Sequence, residues 1–114
     1  MRVVICNCPV SEAEAIATAL VQEKIAACVN IIPLVKSLYL WQGKMCEEQE
    51  ATLLIKIRKD DFGLLEQRIK SLHPYTIPEM VAINVAEANT AYTNWLYETT
   101  ERGPSTKPNA VPVE

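Results

Sequence analysis

Residues 26–43 read AACVNIIPLVKSLYLWQG, a long segment in which β-branched and aromatic residues predominate. Side chains of these types favour a β-strand. Pro33 interrupts the segment, and because proline has no backbone N–H to donate, we expect it at a bulge or on an open sheet edge. A strand of this length overhangs the small sheet that a chain of 114 residues can form. An overhanging hairpin needs a second chain to cover it, so the segment predicts self-association.

The size and charge of the chain limit the classes of protein to which it can belong. Its 114 residues suffice for one domain with a single core, and its net charge is −3. The basic residues are scattered, which argues against a nucleic-acid partner or an anionic membrane surface. No segment reaches the ~20 apolar residues of a membrane span. Glu12 and Glu14 interrupt the apolar start before a signal peptide forms. We therefore expect a cytoplasmic protein without membrane insertion.

Three segments carry apolar residues at helical spacing. The residues expected to cap them are, in chain order, Ser11, Asp60 or Asp61, and Asn89. Glu14 stands three residues after Ser11, which is the capping-box pattern. His73 precedes a proline, and since that position disfavours the α region, we expect the second helix to end there.

Four segments are predicted as strands: residues 3–7, the long segment from 26 to the turn around 43, residues 51–58 and residues 80–85. The last is apolar nearly throughout, which is typical of a central strand. The order βαββαβ plus one helix predicts an α+β, ferredoxin-like sandwich, a four-stranded antiparallel sheet with two helices on one face. The other face is bare, which again predicts an oligomer. Residues 1–102 are expected to form this single domain, and residues 103–114 an irregular tail.

Four sequence words stand in order along this domain: AACVNIIP at 26–33, SLYLWQGK at 37–44, HPY at 73–75 with PE at 78–79, and Tyr92 with WL at 95–96. In this order and spacing they resemble the CutA family, the divalent-cation tolerance proteins. The resemblance runs from about Val3 to Leu96. It implies a PII-like homotrimer whose strands interlock around a threefold axis, binding of copper and other divalent ions, and no securely assigned enzymatic reaction.

The cysteines are the first candidate metal ligands. In the family, Cys28 begins the strand that faces the trimer, so three thiolates near the axis would suit Cu(I). The alternative is that Cys28 is a small buried hydrophobe. Cys6 matches a cysteine of some family members and shares a strand face with Cys8, where both either chelate a metal or belong to the core. Cys46 lies near the hairpin turn and is expected to be exposed.

His73, the only histidine of the chain, is the second candidate ligand, with Glu79 as a possible companion. The favoured alternative is structural, since a residue at a helix C-terminus commonly bonds the last carbonyls. The acidic residues near the hairpin turn are Glu47, Glu48 and Glu50. They either attract cations or form a solvated strand end, and we favour the second interpretation.

The residues expected at the trimer interface are Pro33, Tyr39, Trp41 and Trp95. The aromatic ones, together with Tyr92, are also consistent with a ligand-stacking pocket. We favour interface packing, because tyrosine and tryptophan are common in interface cores.

Two functions follow. The first is a non-enzymatic homotrimer that binds copper or other divalent ions and takes part in the response to metal ions. The alternative is a PII-like small-molecule sensor or trimeric scaffold with no physiological metal. A hydrolase is disfavoured because no nucleophile–base pair is readable, and a nucleotide role is weakened because the three glycines form no phosphate cradle.

Overall fold

A computed structural model describes residues 1–102 of the chain. Its elements are β1 (Arg2–Cys8), a 3-10 turn (Val10–Glu12), α1 (Ala13–Gln22), β2 (Ala26–Trp41), β3 (Lys44–Ile57), α2 (Phe62–Leu72), β4 (Val81–Asn84) and α3 (Thr90–Thr99). The predicted order βαββαβ plus one helix is therefore confirmed. The predicted tail, residues 103–114, lies outside the described residues. No helix within residues 1–102 is long and apolar enough to cross a membrane.

The four strands form one antiparallel sheet in the order β2-β3-β1-β4. The prediction that residues 80–85 form a central strand was wrong, because β4 pairs with β1 alone and occupies an edge. Val81 and Ile83 of β4 are each 49% exposed, while Ala82 between them packs on the core. A continuous apolar run indicates that both faces of a strand contact apolar groups. It does not show whether the strand has a neighbour on both sides or lies at the edge of the sheet.

One face of the sheet packs on α1 and α2 and forms the core. Alternate residues of β1 and β3 point toward the helices, because successive side chains of a strand lie on opposite faces. The buried residues of this core include Val4, Cys6, Cys8, Leu53, Ile55 and Ile57 from the sheet and Ile16, Leu20, Leu65 and Ile69 from the helices. The helical pairs are four residues apart, so each pair lies on one helix face. Each such aliphatic side chain contributes about 1.5–3 kcal/mol by leaving water.

Helix α3 covers part of the opposite face, which the sequence predicted to be bare. The Nζ atom of Lys56 lies 5.8 Å from the ring centroid of Tyr92, and the guanidinium carbon of Arg58 lies 4.9 Å from that of Tyr97. Lys56 and Arg58 alternate with the buried residues of β3, so α3 lies on the side away from α1 and α2. Val81 and Ile83 of β4 remain exposed on this face.

The hairpin of β2 and β3 extends well beyond the rest of the sheet. Strand β1 pairs only with residues 51–57 of β3, so residues 33–50 overhang; we call them the hairpin arm. The register shifts between Ile32 and Val35, which confirms the bulge predicted at Pro33. Gln42 and Gly43 close the arm with φ of 52° and 78°, as a tight hairpin turn requires.

The helix ends differ from the predicted caps in one case. Ser11 lies inside the 3-10 turn, and Glu12 is the N-cap of α1, so the predicted capping box does not form. Asp61 and Asn89 hold the predicted N-cap positions of α2 and α3, although neither side chain makes a capping hydrogen bond. The carboxylate of Asp61 instead lies 3.0 Å from Nη2 of Arg102, in a charge contact that lacks hydrogen-bond geometry.

Candidate functional site

A groove of about 660 Å³ lies between the hairpin arm and the loop that joins α2 to β4. The polar and aromatic residues that line it include Tyr39, Trp41, Glu48, Glu50, Tyr75 and Glu79. No lysine, arginine or histidine is among its lining residues within the described part of the chain. The groove therefore combines aromatic surface with uncompensated negative charge, and its size is that of a small-molecule pocket.

Glu50 is the most buried carboxylate of this groove, with 6% of its surface exposed. It lies next to the bulge, opposite Val35 of β2. The hydroxyl of Tyr75 donates a hydrogen bond of 2.7 Å to Oε2 of Glu50. Among residues 1–102 this is the one hydrogen bond that its carboxylate receives. The expectation of a solvated strand end is therefore wrong for Glu50, which is buried.

A second tyrosine orients a second carboxylate on the same strand. Tyr39 donates a 2.7 Å hydrogen bond to Oε1 of Glu48, which raises the pKa of Tyr39 to about 12. Burial and the hydrogen bond to Glu50 also raise the pKa of Tyr75. Both hydroxyls therefore stay protonated at neutral pH and act as hydrogen-bond donors to the two carboxylates.

His73 lies behind the groove and connects its loop to the sheet. Its Nε2 lies 2.7 Å from the carbonyl oxygen of Asn7 in β1, and its Nδ1 accepts a 3.1 Å hydrogen bond from the N–H of Tyr75. Nε2 therefore donates to the carbonyl, and both ring nitrogens are occupied. His73 is the C-cap of α2, as predicted, and its backbone N–H donates to the carbonyl oxygen of Ile69 in the last turn. Its ring instead bonds β1 and the loop. The role of His73 as a metal ligand stays a prediction. To bind a metal, the ring has to lose one of these two hydrogen bonds.

The two cysteines predicted as ligands lie in different surroundings. Cys6 is fully buried in the core, and burial together with the nearby Cys8, Glu79 and Glu50 raises its pKa to about 12. Because the thiolate is the form that binds a metal, Cys6 is a poor ligand at neutral pH unless the metal displaces its proton. Cys28 is partly exposed on the edge strand β2, opposite Lys56.

These candidate ligands do not form one cluster within a chain. No group of three or more histidine, cysteine, aspartate or glutamate side chains in residues 1–102 is arranged to hold a metal ion. Glu79 is exposed and lines the groove, whereas Cys28 lies on β2 within the sheet. A site that uses Cys28 therefore needs donors from a second chain, and the assignment of Cys28, Cys6, His73 and Glu79 remains a prediction.

The residues predicted at a trimer interface are all exposed in the single chain. They are Pro33, Tyr39, Trp41 and Trp95. Tyr39 and Trp41 also line the groove, so the ligand-pocket alternative applies to these two. Trp95 lies on α3 instead, with its ring centroid 5.5 Å from that of Tyr92.

Known proteins with similar sequences carry the name CutA. The chain is 50% identical over 100 residues to the divalent-cation tolerance protein CutA of Thermus thermophilus, a match that covers 87% of this chain and 97% of that protein. It is 38% identical over 96 residues to human protein CutA, covering 83% of this chain and 54% of that protein, so it spans about half of that relative's length.

Solved structures agree with the sequence relatives. The divalent cation tolerance protein of Thermus thermophilus superposes with a TM-score of 0.84 at 48% identity, covering 89% of this chain and 100% of that chain. The PII-like protein CutA from Nostoc sp. PCC 7120 in apo form gives 0.84 at 39% identity, covering 89% and 98%. The family model described as CutA1 divalent ion tolerance protein matches residues 2–99. The chain therefore belongs to the CutA1 divalent ion tolerance family and has its PII-like fold.

Proposed function

We propose that the chain is a cytoplasmic, non-enzymatic, homotrimeric divalent-cation tolerance protein that binds copper or other divalent ions in the response to metal ions. Membership of the CutA1 family supports the link to cation tolerance. The four free thiols support a cytoplasmic location, because the cytosol keeps cysteines reduced. The observation that carries the metal proposal is the position of Cys28, a partly exposed thiol on the open edge strand of the sheet.

The hairpin arm supports self-association. Leu40 and Met45 face each other across the arm and are 69% and 67% exposed. Apolar side chains exposed to this degree on an overhanging hairpin favour a covering partner. If three copies form a closed ring with their β2 edges at the interfaces, the Cys28 thiols of different chains would supply the soft donors that one chain lacks.

The test is native mass spectrometry of the reduced protein titrated with Cu(I), Cu(II) and Zn(II). We expect a trimer with saturable copper uptake, which Cys28→Ser abolishes while the trimer persists. Cys46→Ser is the matched control, since Cys46 is a partly exposed thiol on the arm and should leave uptake unchanged. Unchanged copper stoichiometry in Cys28→Ser contradicts the proposed ligand, and a monomer contradicts the proposed assembly.

A second candidate function is a PII-like small-molecule sensor without a physiological metal. The groove beside the arm favours it, because a concave site with aromatic walls and oriented polar groups suits a small ligand. Graded, non-selective metal uptake in the same titration favours the sensor over the metal-binding protein.

A further inference from the structure

Helix α1 ends in a turn whose backbone is strained at Lys24. Lys24 has a φ of 61°, in the left-handed region that glycine usually occupies. The N–H of Lys24 donates to the carbonyl oxygen of Val21. The N–H of Ile25 donates to the carbonyl oxygen of Leu20, which completes a Schellman motif. Because lysine adopts this conformation at a cost that glycine does not have, the turn needs support from another part of the chain.

Arg102, the last residue that the structure describes, contacts this turn. Its Nη1 donates a 2.9 Å hydrogen bond to the carbonyl oxygen of Lys24. Its Nη2 lies 3.0 Å from Oδ2 of Asp61, the N-cap residue of α2. The planar fork of the guanidinium allows it to reach both partners at once. One side chain therefore joins the end of α1 to the start of α2.

The pair of Asp61 and Arg102 is the most buried ion pair in the described part of the chain. Each of its side chains is 10% exposed, whereas those of the other ion pairs are at least 35% exposed. Asp61 makes no capping hydrogen bond, and its Oδ2 is buried without a hydrogen-bond partner among residues 1–102. A buried carboxylate is costly unless a positive charge lies beside it, so the position of Asp61 depends on Arg102.

The turn leads directly into the edge strand β2. This strand begins at Ala26, and its register shifts between Ala26 and Cys28, so the placement of Cys28 depends on how the strand begins. We propose that Arg102 is a clasp through which the C-terminal end of the domain holds the turn between α1 and β2. Displacement of that end releases the turn and the start of β2 while the rest of the sheet stays intact. The clasp does not depend on copper binding.

The test is hydrogen exchange of single backbone amides in the full, assembled chain. We expect Arg102→Gln to speed the exchange of the Lys24 and Ile25 amides roughly tenfold or more. The amide of Leu65, which donates to the backbone carbonyl of Asp61, should also exchange faster. These amides should exchange faster than the slowest amides of β3. Low urea concentrations should hardly change their rates, because a local opening exposes little surface.

Two results of this measurement overturn the clasp. The first is unchanged exchange at the turn in Arg102→Gln. The second is faster exchange at the turn that rises with urea as steeply as exchange of the slowest β3 amides, because Arg102 would then contribute only to global stability.

Asp61→Asn tests the ion pair. Asparagine caps a helix as well as aspartate does, so this variant removes the charge and keeps the cap. Arg102→Gln should have a smaller effect on the turn in the Asp61→Asn background, because no buried carboxylate is then left unpaired. Equal effects in both backgrounds overturn the role of Asp61. Asp60→Asn is the matched control, since Asp60 is an exposed charge beside the same helix terminus, and its exchange should equal that of the wild type.

Arg102→Lys tests the two-ended contact. Lysine keeps a positive charge for Asp61, but its compact ammonium group has no planar fork with which to reach the carbonyl of Lys24 as well. We expect the Leu65 amide to keep its wild-type rate and the Lys24 and Ile25 amides to exchange faster. Wild-type exchange at all three amides would show that the charge alone is sufficient, and would overturn the two-ended clasp.

Discussion

Among the four thiols, Cys6 is the one whose ionisation is most strongly opposed by the fold. Burial, and then the neighbouring Cys8 and two carboxylates, raises its pKa from 9.0 to about 12. Burial and the carboxylates of Glu50 and Glu12 raise the pKa of Cys8 to about 11. A thiol of this kind is a core residue at neutral pH, and its protonated form stabilises the native state.

The pH dependence of stability follows from this shift. Since the pKa of Cys6 in the folded state exceeds its ordinary value, its contribution is complete below about pH 9 and is lost as the pH rises toward about 12. We expect the free energy of unfolding to fall more steeply over this window in the wild type than in Cys6→Ala, which has no thiol to ionise. Urea unfolding at a series of pH values measures both curves, and parallel curves would contradict the assignment.

The sequence predicted the position of His73 at a helix end, but it did not predict the hydrogen-bond partners of His73 or Glu50. His73 was predicted as the end of a helix because the proline after it acts locally. Its bond to Asn7 spans 66 residues, and that of Glu50 to Tyr75 spans 25, so no local pattern contains them. Glu50 is buried next to the bulge, where Tyr75 of a distant loop contacts it. The only available signal was the HPY word, whose Tyr75 contributed to the family resemblance alone.

At the level of elements, Arg58 provides two of the hydrogen bonds that hold α3 to the sheet. Nε of Arg58 donates to Oγ1 of Thr100 at 2.8 Å, and Nη2 donates to the carbonyl oxygen of Tyr97 at 2.6 Å. The guanidinium also lies over the ring of Tyr97. Because the last carbonyls of a helix lack intrahelical partners, this fork both caps α3 and docks it.

Arg58→Lys therefore tests the docking of α3. Lysine keeps the charge but has no planar fork, so it cannot reproduce both hydrogen bonds and the ring contact together. We expect a loss of about 1.5–3 kcal/mol in the free energy of unfolding, and faster amide exchange confined to residues 90–99. Lys59→Met, at the exposed neighbouring position, is the control and should change neither measurement. Uniform exchange changes throughout the sheet would refute a local docking role.

The elements themselves were largely predictable because their signals are local. Helical spacing identified α1 and α2, and the missing N–H of Pro33 identified the bulge. The position of β4 and the contact between α3 and β3 were missed, because both depend on which strand becomes an edge. The cap of α1 was missed because the 3-10 turn moves the helix start past Ser11.

For the whole molecule, the hairpin arm determines the shape. The described chain measures 51 × 31 × 22 Å, and its radius of gyration is 15.4 Å. A compact chain of this length has a radius of gyration of about 13 Å. The excess comes from a two-stranded projection, and an isolated two-stranded hairpin is marginally stable in water. Its exposed apolar pair, Leu40 and Met45, is therefore the surface that assembly should cover.

A charged substitution at Leu40 tests whether the arm is needed for assembly without being needed for folding. We expect Leu40→Glu to give monomers, because burying a carboxylate without a partner costs several kcal/mol. Val21→Glu is the matched control, since Val21 is also an exposed apolar residue, 40% accessible, but lies on α1 away from the arm. Size-exclusion chromatography with light scattering gives the mass, and circular dichroism shows whether the fold persists. If Leu40→Glu retains the wild-type mass, the arm is not the assembly surface, and the exposed edge of β4 becomes the next surface to charge, through Ile83→Glu.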